Sequence, residues 1–225
     1  MPLAVAAIIV GSARAQEAAI TFIAPPPGGA AGAGVAGWQF TTRMDISISA
    51  LGLYDAAGIY GGGFVGDGLL EEHAVGIWDI SNHSTPLLSA LIPAGTLAPL
   101  ANGFRYVSTS PVVLPSNHDY VIAALFSDAA QKDFGVGGPN DPTYATVSPQ
   151  IEFGGYRFEG LSVLAFPEYY EPGEWWGFGP NFTYTVVPEP STLGLCALAA
   201  AVLFGSRNTL RLRTAPVRPS PEISV

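Results

Sequence analysis

The sequence predicts an all-β protein, an antiparallel β-sandwich or jelly roll, with a secretory leader before it and a single apolar helix after it. Three observations carry this expectation. Short segments between residues 19 and 186 alternate apolar and polar side chains with period two, the mark of half-buried strands. Turn formers separate them, with 27 glycines and 20 prolines in 225 residues. No segment before residue 192 shows a helical apolar period.

Residues 1–15 read as a signal peptide. An apolar stretch spans residues 3–10, and Ala13-Arg14-Ala15 offers a small-x-small cleavage site before Gln16. Residues 16–37 form a flexible segment, rich in Pro, Gly and Ala from residue 25 on, with one candidate strand over 19–23. Within it Gly32-x-Gly34-x-x-Gly37 matches the dinucleotide-binding pattern formally, but that pattern needs a following helix. Gly37-Trp38-Gln39-Phe40-Thr41-Thr42 follows instead and reads as a strand, so the match is set aside.

The sandwich domain is expected over 38–186. Residues 44–50 alternate and 51–55 continue them; 74–79 and 87–92 pair across a turn at 81–86. Residues 104–108 alternate again, and 111–115, bounded by prolines, read as a short edge strand. Residues 120–126 are uniformly apolar and of strand length, as expected for a central strand covered on both faces. Residues 127–147 read as a long polar loop, 150–153 and 156–158 as a hairpin across Gly154-Gly155, and 166–180 as irregular and aromatic. The last strand, 182–186, places Phe182, Tyr184 and Val186 on one face.

Charge excludes one class of partner. The net charge is -9. Arg14 lies in the leader and four arginines lie beyond residue 205, so only Arg43, Arg105, Lys132 and Arg157 stand between residues 16 and 187, against 16 acidic residues. That stretch is therefore at -12, from 4 basic minus 16 acidic residues. Such a surface repels nucleic acid. The one cysteine, Cys196, lies in the tail, so the domain holds no disulfide and relies on its own core.

The tail follows Val187-Pro188-Glu189-Pro190-Ser191-Thr192. Residues 193–205 carry no charge, and Arg207, Arg211, Arg213 and Arg218 lie beyond them. A helix is the open-ended way to carry such a backbone through lipid. The run is shorter than the ~20 residues of a full span. Positive charge is retained on the cytoplasmic side, so the arginines orient the body outward. Proline keeps the Pro-Glu-Pro stretch extended and accessible.

This arrangement resembles the PEP-CTERM sorting signal of bacterial surface proteins. The resemblance implies that the chain is a substrate of an exosortase, a membrane-embedded cysteine protease or transpeptidase, with Val187, Pro188, Glu189 and Pro190 as the sorting motif. It also implies that Arg207, Arg211 and Arg213 set topology. The signal would cover 187–213, leaving 214–225 as a disordered tail. Leu51-Gly-Leu-Tyr-Asp55, Gly66-Asp-Gly-Leu69, His73-x-Val-Gly-Ile-Trp-Asp79, Gly103-Phe-Arg-Tyr-Val107 and Gly179-Pro-Asn-Phe182 look like an uncharacterised β-sandwich domain often found in PEP-CTERM proteins. The likeness implies fold and context, not an activity.

Catalytic signatures are absent from the sequence: it has no His-Glu-x-x-His, no Gly-x-Ser-x-Gly and no phosphate loop. His73, His83 and His118 are far apart in the chain, and His73 beside Glu71 and Glu72 reads as a strand-start histidine bonded to backbone. Asp67, Glu71, Glu72 and Asp79, with Asp55, are the weak candidates for Ca²⁺, which takes six to eight oxygen ligands. A solvated acidic loop with Asp67-Gly68 in a turn competes with that reading. Tyr169, Tyr170, Trp175 and Trp176, interleaved with carboxylates, are the glycan-binding candidates, because aromatic faces stack on sugar rings. The competing reading folds these rings back over an open end of the core. The expected function is that of an exported, non-enzymatic surface or extracellular-matrix protein with no obligatory cofactor, held briefly at the inner membrane. The alternatives are a carbohydrate-binding module for exopolysaccharide and, with less support, a hydrolase.

Overall fold

Strands Glu17–Ala18 (β1) and Ile20–Phe22 (β2) open the computed structural model, which describes residues 15–23, 33–55, 66–127, 133, 145–174 and 177–188. Gly34–Thr42 (β3), Ile46–Tyr54 (β4), His73–Asp79 (β5), Leu88–Ile92 (β6) and Leu100–Ala101 (β7) follow. Then come Phe104–Leu114 (β8), Asp119–Phe126 (β9), Ala145–Val147 (β10), Ile151–Glu159 (β11), Tyr169–Pro172 (β12) and Pro180–Val186 (β13). Every regular element among the described residues is a strand, and every strand pair is antiparallel. One sheet runs β1-β13-β4-β8-β7, a second β12-β11-β3-β9-β5-β6, and β10 pairs β2.

The two larger sheets share one apolar cluster. Trp38, Phe40, Ile77 and Ile122 enter it from the six-stranded sheet, and Ile48, Leu51, Leu53, Phe182 and Tyr184 from the five-stranded one. Period two explains most of this, but β4 needs a correction to its phase. Ile46 and Ile48 are two apart, Leu51 and Leu53 are two apart, and the step between them is three. The ladder to β13 skips Ser49, and that bulge returns both pairs to the core. β9 lies between β3 and β5 with both faces covered: Tyr120, Ile122 and Ala124 face the main cluster, and Val121 and Ala123 pack with Val35, Trp78 and Phe166.

Five expectations are corrected. Residues 104–114 are one strand, not two, with the register to β4 slipping between Ser108 and Val112. Pro111, which has no N–H to donate, falls within that slip. Gly154-Gly155 is a bulge inside β11, not a hairpin turn, because the ladder to β3 steps from Phe153 to Gly155. The aromatic stretch contains a short strand, β12. The strand expected over 19–23 is β2, but the segment 16–37 also holds β1 ahead of it, which joins the edge of the five-stranded sheet beside β13, and the first residues of β3, so the sheets begin before residue 38. The stretch 127–147, expected as a loop, ends in β10, which pairs with β2.

The ends of the fold differ. At one, the Val187 N–H donates to the Asp45 carbonyl at 2.8 Å and the Asn117 N–H to Thr42 at 2.6 Å. This is the near end. At the far end, the Tyr54 N–H donates to Gly179 and the Asp55 N–H to Gly103, both at 2.8 Å. Residues 1–187 group as one compact unit and 188–225 as a second. Residues 1–14 of the leader, Glu189 and Pro190 of the sorting motif, the apolar run 193–205, Arg207, Arg211 and Arg213, and the tail 214–225 lie outside the described residues.

Candidate functional site

β12 is held against β11 by a glycine. Gly155 has φ +150, and a Cβ there would lie 2.3 Å from the Glu171 carbonyl oxygen, so only glycine lets the edge strand close. The register pairs Phe158 with Tyr169, Arg157 with Tyr170 and Tyr156 with Glu171. Successive side chains point to opposite faces, so Tyr169 and Tyr170 do not share a surface. Trp175 and Trp176 lie outside the described residues.

Tyr169 is 54% exposed, and its hydroxyl donates to Glu171 Oε1 at 2.6 Å. That bond holds its phenol above the ordinary range. On the same face Tyr156 and Phe158 lie with centroids 6.4 Å apart and planes 16° from parallel. Burial, with the charges of Glu171 and Tyr169 nearby, pushes Tyr156 up to about 12. Gly177, at φ +82, packs on the Tyr156 ring where a Cβ would approach within 2.7 Å. The face therefore offers an open ring with a carboxylate clamped to its edge. An arrangement of this kind suits a polyhydroxylated ligand, whose C–H face stacks and whose hydroxyls donate.

The opposite face is structural. The Arg157 guanidinium lies 4.4 Å over Tyr170 and 5.2 Å over Phe166. It donates to Gln39 Oε1 at 2.7 and 3.2 Å and to the carbonyls of Pro167 and Glu168 at 3.4 and 3.3 Å. Only 8% of Arg157 is exposed, and burial lowers its pKa against the pull of Tyr170 and Glu168. Tyr170 donates to the Gly154 carbonyl at 3.0 Å. These contacts strap the segment after β11 over Trp78, which Phe166 meets edge-on at 6.3 Å. His83 stacks on Phe166 at 3.6 Å and reaches Glu168 at 2.8 Å. Of the expected glycan-binding residues, Tyr170 thus serves the fold.

The Ca²⁺ candidates do not converge. Asp79 ends β5, whereas Asp67, Glu71 and Glu72 precede its start, and seven strand residues span about 23 Å. Asp79 accepts from the N–H and hydroxyl of Ser81 at 2.7 and 2.6 Å, and His118 Nε2 lies 2.9 Å away. Its carboxyl lies below the ordinary value: burial opposes the shift, and the bonds from Ser81 and His118 outweigh it. Asp55 is fully buried on Arg105 at 2.7 Å and accepts from the Gly68 N–H. No group of three metal-ligating side chains comes together among the described residues.

The histidines stay separate. His73 Nδ1 donates to the Leu125 carbonyl at 2.9 Å, as a strand-start histidine bonded to backbone would, and Nε2 lies 3.1 Å from Asp133. Asp133 also accepts the Leu70 N–H at 2.7 Å. With both ring nitrogens occupied, His73 offers no lone pair to a substrate. Sequence reasoning missed Asp133, which lies 60 residues from His73 in a stretch read as loop. It also missed Asn181, whose amide donates to the Ile20 carbonyl and the Tyr106 hydroxyl. Neither carries a local signal. A depression of about 320 Å³ at the far end, between Leu125 and Phe126 on one side and Leu161 and Ser162 on the other, has no charged lining.

Comparison with protein-family models, with curated proteins and with solved structures gives no match to this chain.

Proposed function

We propose that the chain is an exported, non-catalytic β-sandwich protein of the cell surface or extracellular matrix. Its carboxy-terminal segment is a sorting address read by an exosortase. One observation carries the reading: among the described residues the last backbone bond is made by Val187, and Pro188 beyond it is exposed. A processing enzyme binds extended chain, and a chain held in a sheet cannot be offered to it. Val187-Pro188-Glu189-Pro190 begins where β13 has ended. The two large sheets, facing across one core, are taken as the layers of the sandwich. The apolar run 193–205 holds the precursor at the inner membrane, Arg207, Arg211 and Arg213 keep the tail inside, and cutting near the motif releases the domain. The test is intact mass of the exported protein from strains with and without the exosortase. The expected result is loss of residues 193–225 only when the enzyme is present. Retention of that segment in both strains refutes the proposal.

The open Tyr169 ring beside Glu171 favours a second reading, a carbohydrate-binding module for exopolysaccharide. Tyr169→Ala is expected to abolish retardation in affinity gels containing the host polysaccharide while leaving the melting temperature unchanged. Unaltered retardation excludes this face.

A further inference from the structure

All 16 acidic residues between residues 16 and 187 lie outside one stretch of the chain. From Ile80 to His118 the sole Asp, Glu, Lys or Arg is Arg105, and it is buried on Asp55. That stretch forms β6, β7 and β8. β6 is the last strand of the six-stranded sheet and β7 the last of the five-stranded one. β7 reaches Phe104 and Arg105, so beyond them β8 is itself the edge among the described residues. β6 packs beside β8. The fold thus gathers an uncharged stretch along one side of an acidic domain. Carboxylates approach this stretch at its turns, where Glu168 meets His83 and Asp79 meets His118.

β6 is unguarded. An edge strand presents unpaired N–H and C=O groups, and proteins blunt such edges with lysines or inward-pointing charges. Leu88–Ile92 has neither. Leu88, Ala90 and Ile92 pack into the main core, so Leu87, Ser89 and Leu91 lie on the other face. Leu87 is 41% and Leu91 53% exposed. Pro86 and Pro93 bracket the strand, which confines any ladder added here to residues 87–92.

We propose that this edge is the contact between two copies of the chain, with β6 of each laid antiparallel to β6 of the other about a two-fold axis. Charge selects the occupant. Two copies of a domain at -12 repel across their acidic faces, whereas this side sets uncharged strand against uncharged strand. Register follows from the faces. Residues directly opposite share a face, so the pairing centres on a residue and not between two. Centring on Ser89 sets Leu87 of each copy opposite Leu91 of the other, and Leu88 opposite Ala90, so apolar meets apolar on both faces. Centring on Ala90 would set Ser89 opposite Leu91 instead. The contact uses the β6 edge of both copies, so the assembly closes at two. It is independent of how the tail is processed.

The test is sedimentation velocity of the full chain at micromolar concentration, in a non-ionic detergent that keeps the apolar tails apart. Wild type is expected to sediment as two copies. Ser89→Lys, which sets like charges face to face at the axis, is expected to weaken dimerisation by about tenfold or more with an unchanged near-ultraviolet circular dichroism spectrum. Leu97→Lys, at a position 83% exposed but outside the strand, is expected to stay dimeric. A monomeric wild type overturns the proposal. So does a Ser89→Lys protein as dimeric as wild type, which assigns the association to the tail or another face, and so does equal loss of the dimer in Leu97→Lys. If Ser89→Lys does not fold, a cysteine reads the same contact. In the Cys196→Ser chain, which lacks the one native cysteine, Ser89→Cys is expected to give a covalent dimer on oxidation with copper phenanthroline, and Leu97→Cys is not. No cross-link at 89, or equal cross-linking at 97, overturns the pairing.

Discussion

Arg105→Ala is expected to destabilise the domain by about 3–5 kcal/mol, the range for removing one partner of a buried ion pair. Arg105 Nε donates to Asp55 Oδ2 at 2.7 Å, and the two side chains are 5% and 0% exposed. The same guanidinium donates to the Gly66 carbonyl at 2.7 Å and to Ala98 at 3.0 Å, while Asp55 accepts from the Gly68 N–H. One cation thus closes the loops that meet at the far end. Truncation leaves a buried carboxylate and two carbonyls without their donor, and such groups cost more to leave unmade than the pair contributes when formed. Urea unfolding followed by tryptophan fluorescence measures the effect. The paired variant Asp55→Leu with Arg105→Leu is expected to recover much of the loss, because it removes both charges together. If Arg105→Ala alone costs under about 1 kcal/mol, the size of an exposed pair, the ion pair is not buried in solution.

Gly37→Ala is expected to cost more than about 3 kcal/mol, or to abolish folding, through overpacking. A Cβ at position 37 would lie 1.9 Å from the Ile122 carbonyl oxygen and 2.5 Å from the Ala123 Cα. Both are backbone atoms of β9, so no rotamer change relieves the clash, and β3 would have to move off the centre of its sheet. Gly160→Ala is the control, since a Cβ there meets nothing within 4 Å. Thermal melts of the two variants are expected to separate widely, with Gly160→Ala near wild type. Equal melting temperatures would show that β3 and β9 do not approach as closely as described.

Gly37 also shows how far local pattern carries. In the sequence it completes a dinucleotide-like glycine motif, set aside because a strand and not a helix follows. In the fold its bare Cα is what lets β3 lie against β9. The all-β class was legible because period two is a local property, readable within a few residues. The central position of β9 was legible because a strand covered on both faces has no polar alternation to show. The false hairpin at Gly154-Gly155 arose because two glycines suit a turn and a bulge equally, and only the neighbouring strand decides between them.

For the candidate site, the aromatic composition of residues 169–178 was visible, but the faces were not. Tyr169 and Tyr170 are adjacent in sequence, and composition alone puts both among the glycan-binding candidates. Their separation follows from the pairing of β12 with β11, which turns one toward solvent and the other under Arg157.

By itself the sequence determined the strand-rich class, the acidic character of the stretch from 16 to 187 and the Val187-Pro188-Glu189-Pro190 motif, all of which depend on residues close together in the chain. Tertiary structure alone decided that Asp55 belongs to Arg105, 50 residues away, and Asn181 to Ile20, 161 away. It alone also put Gln16 beside the end of β13. Such contacts depend on which loops close, and loop closure costs nearly the same for many partners, so no local pattern specifies the one that forms.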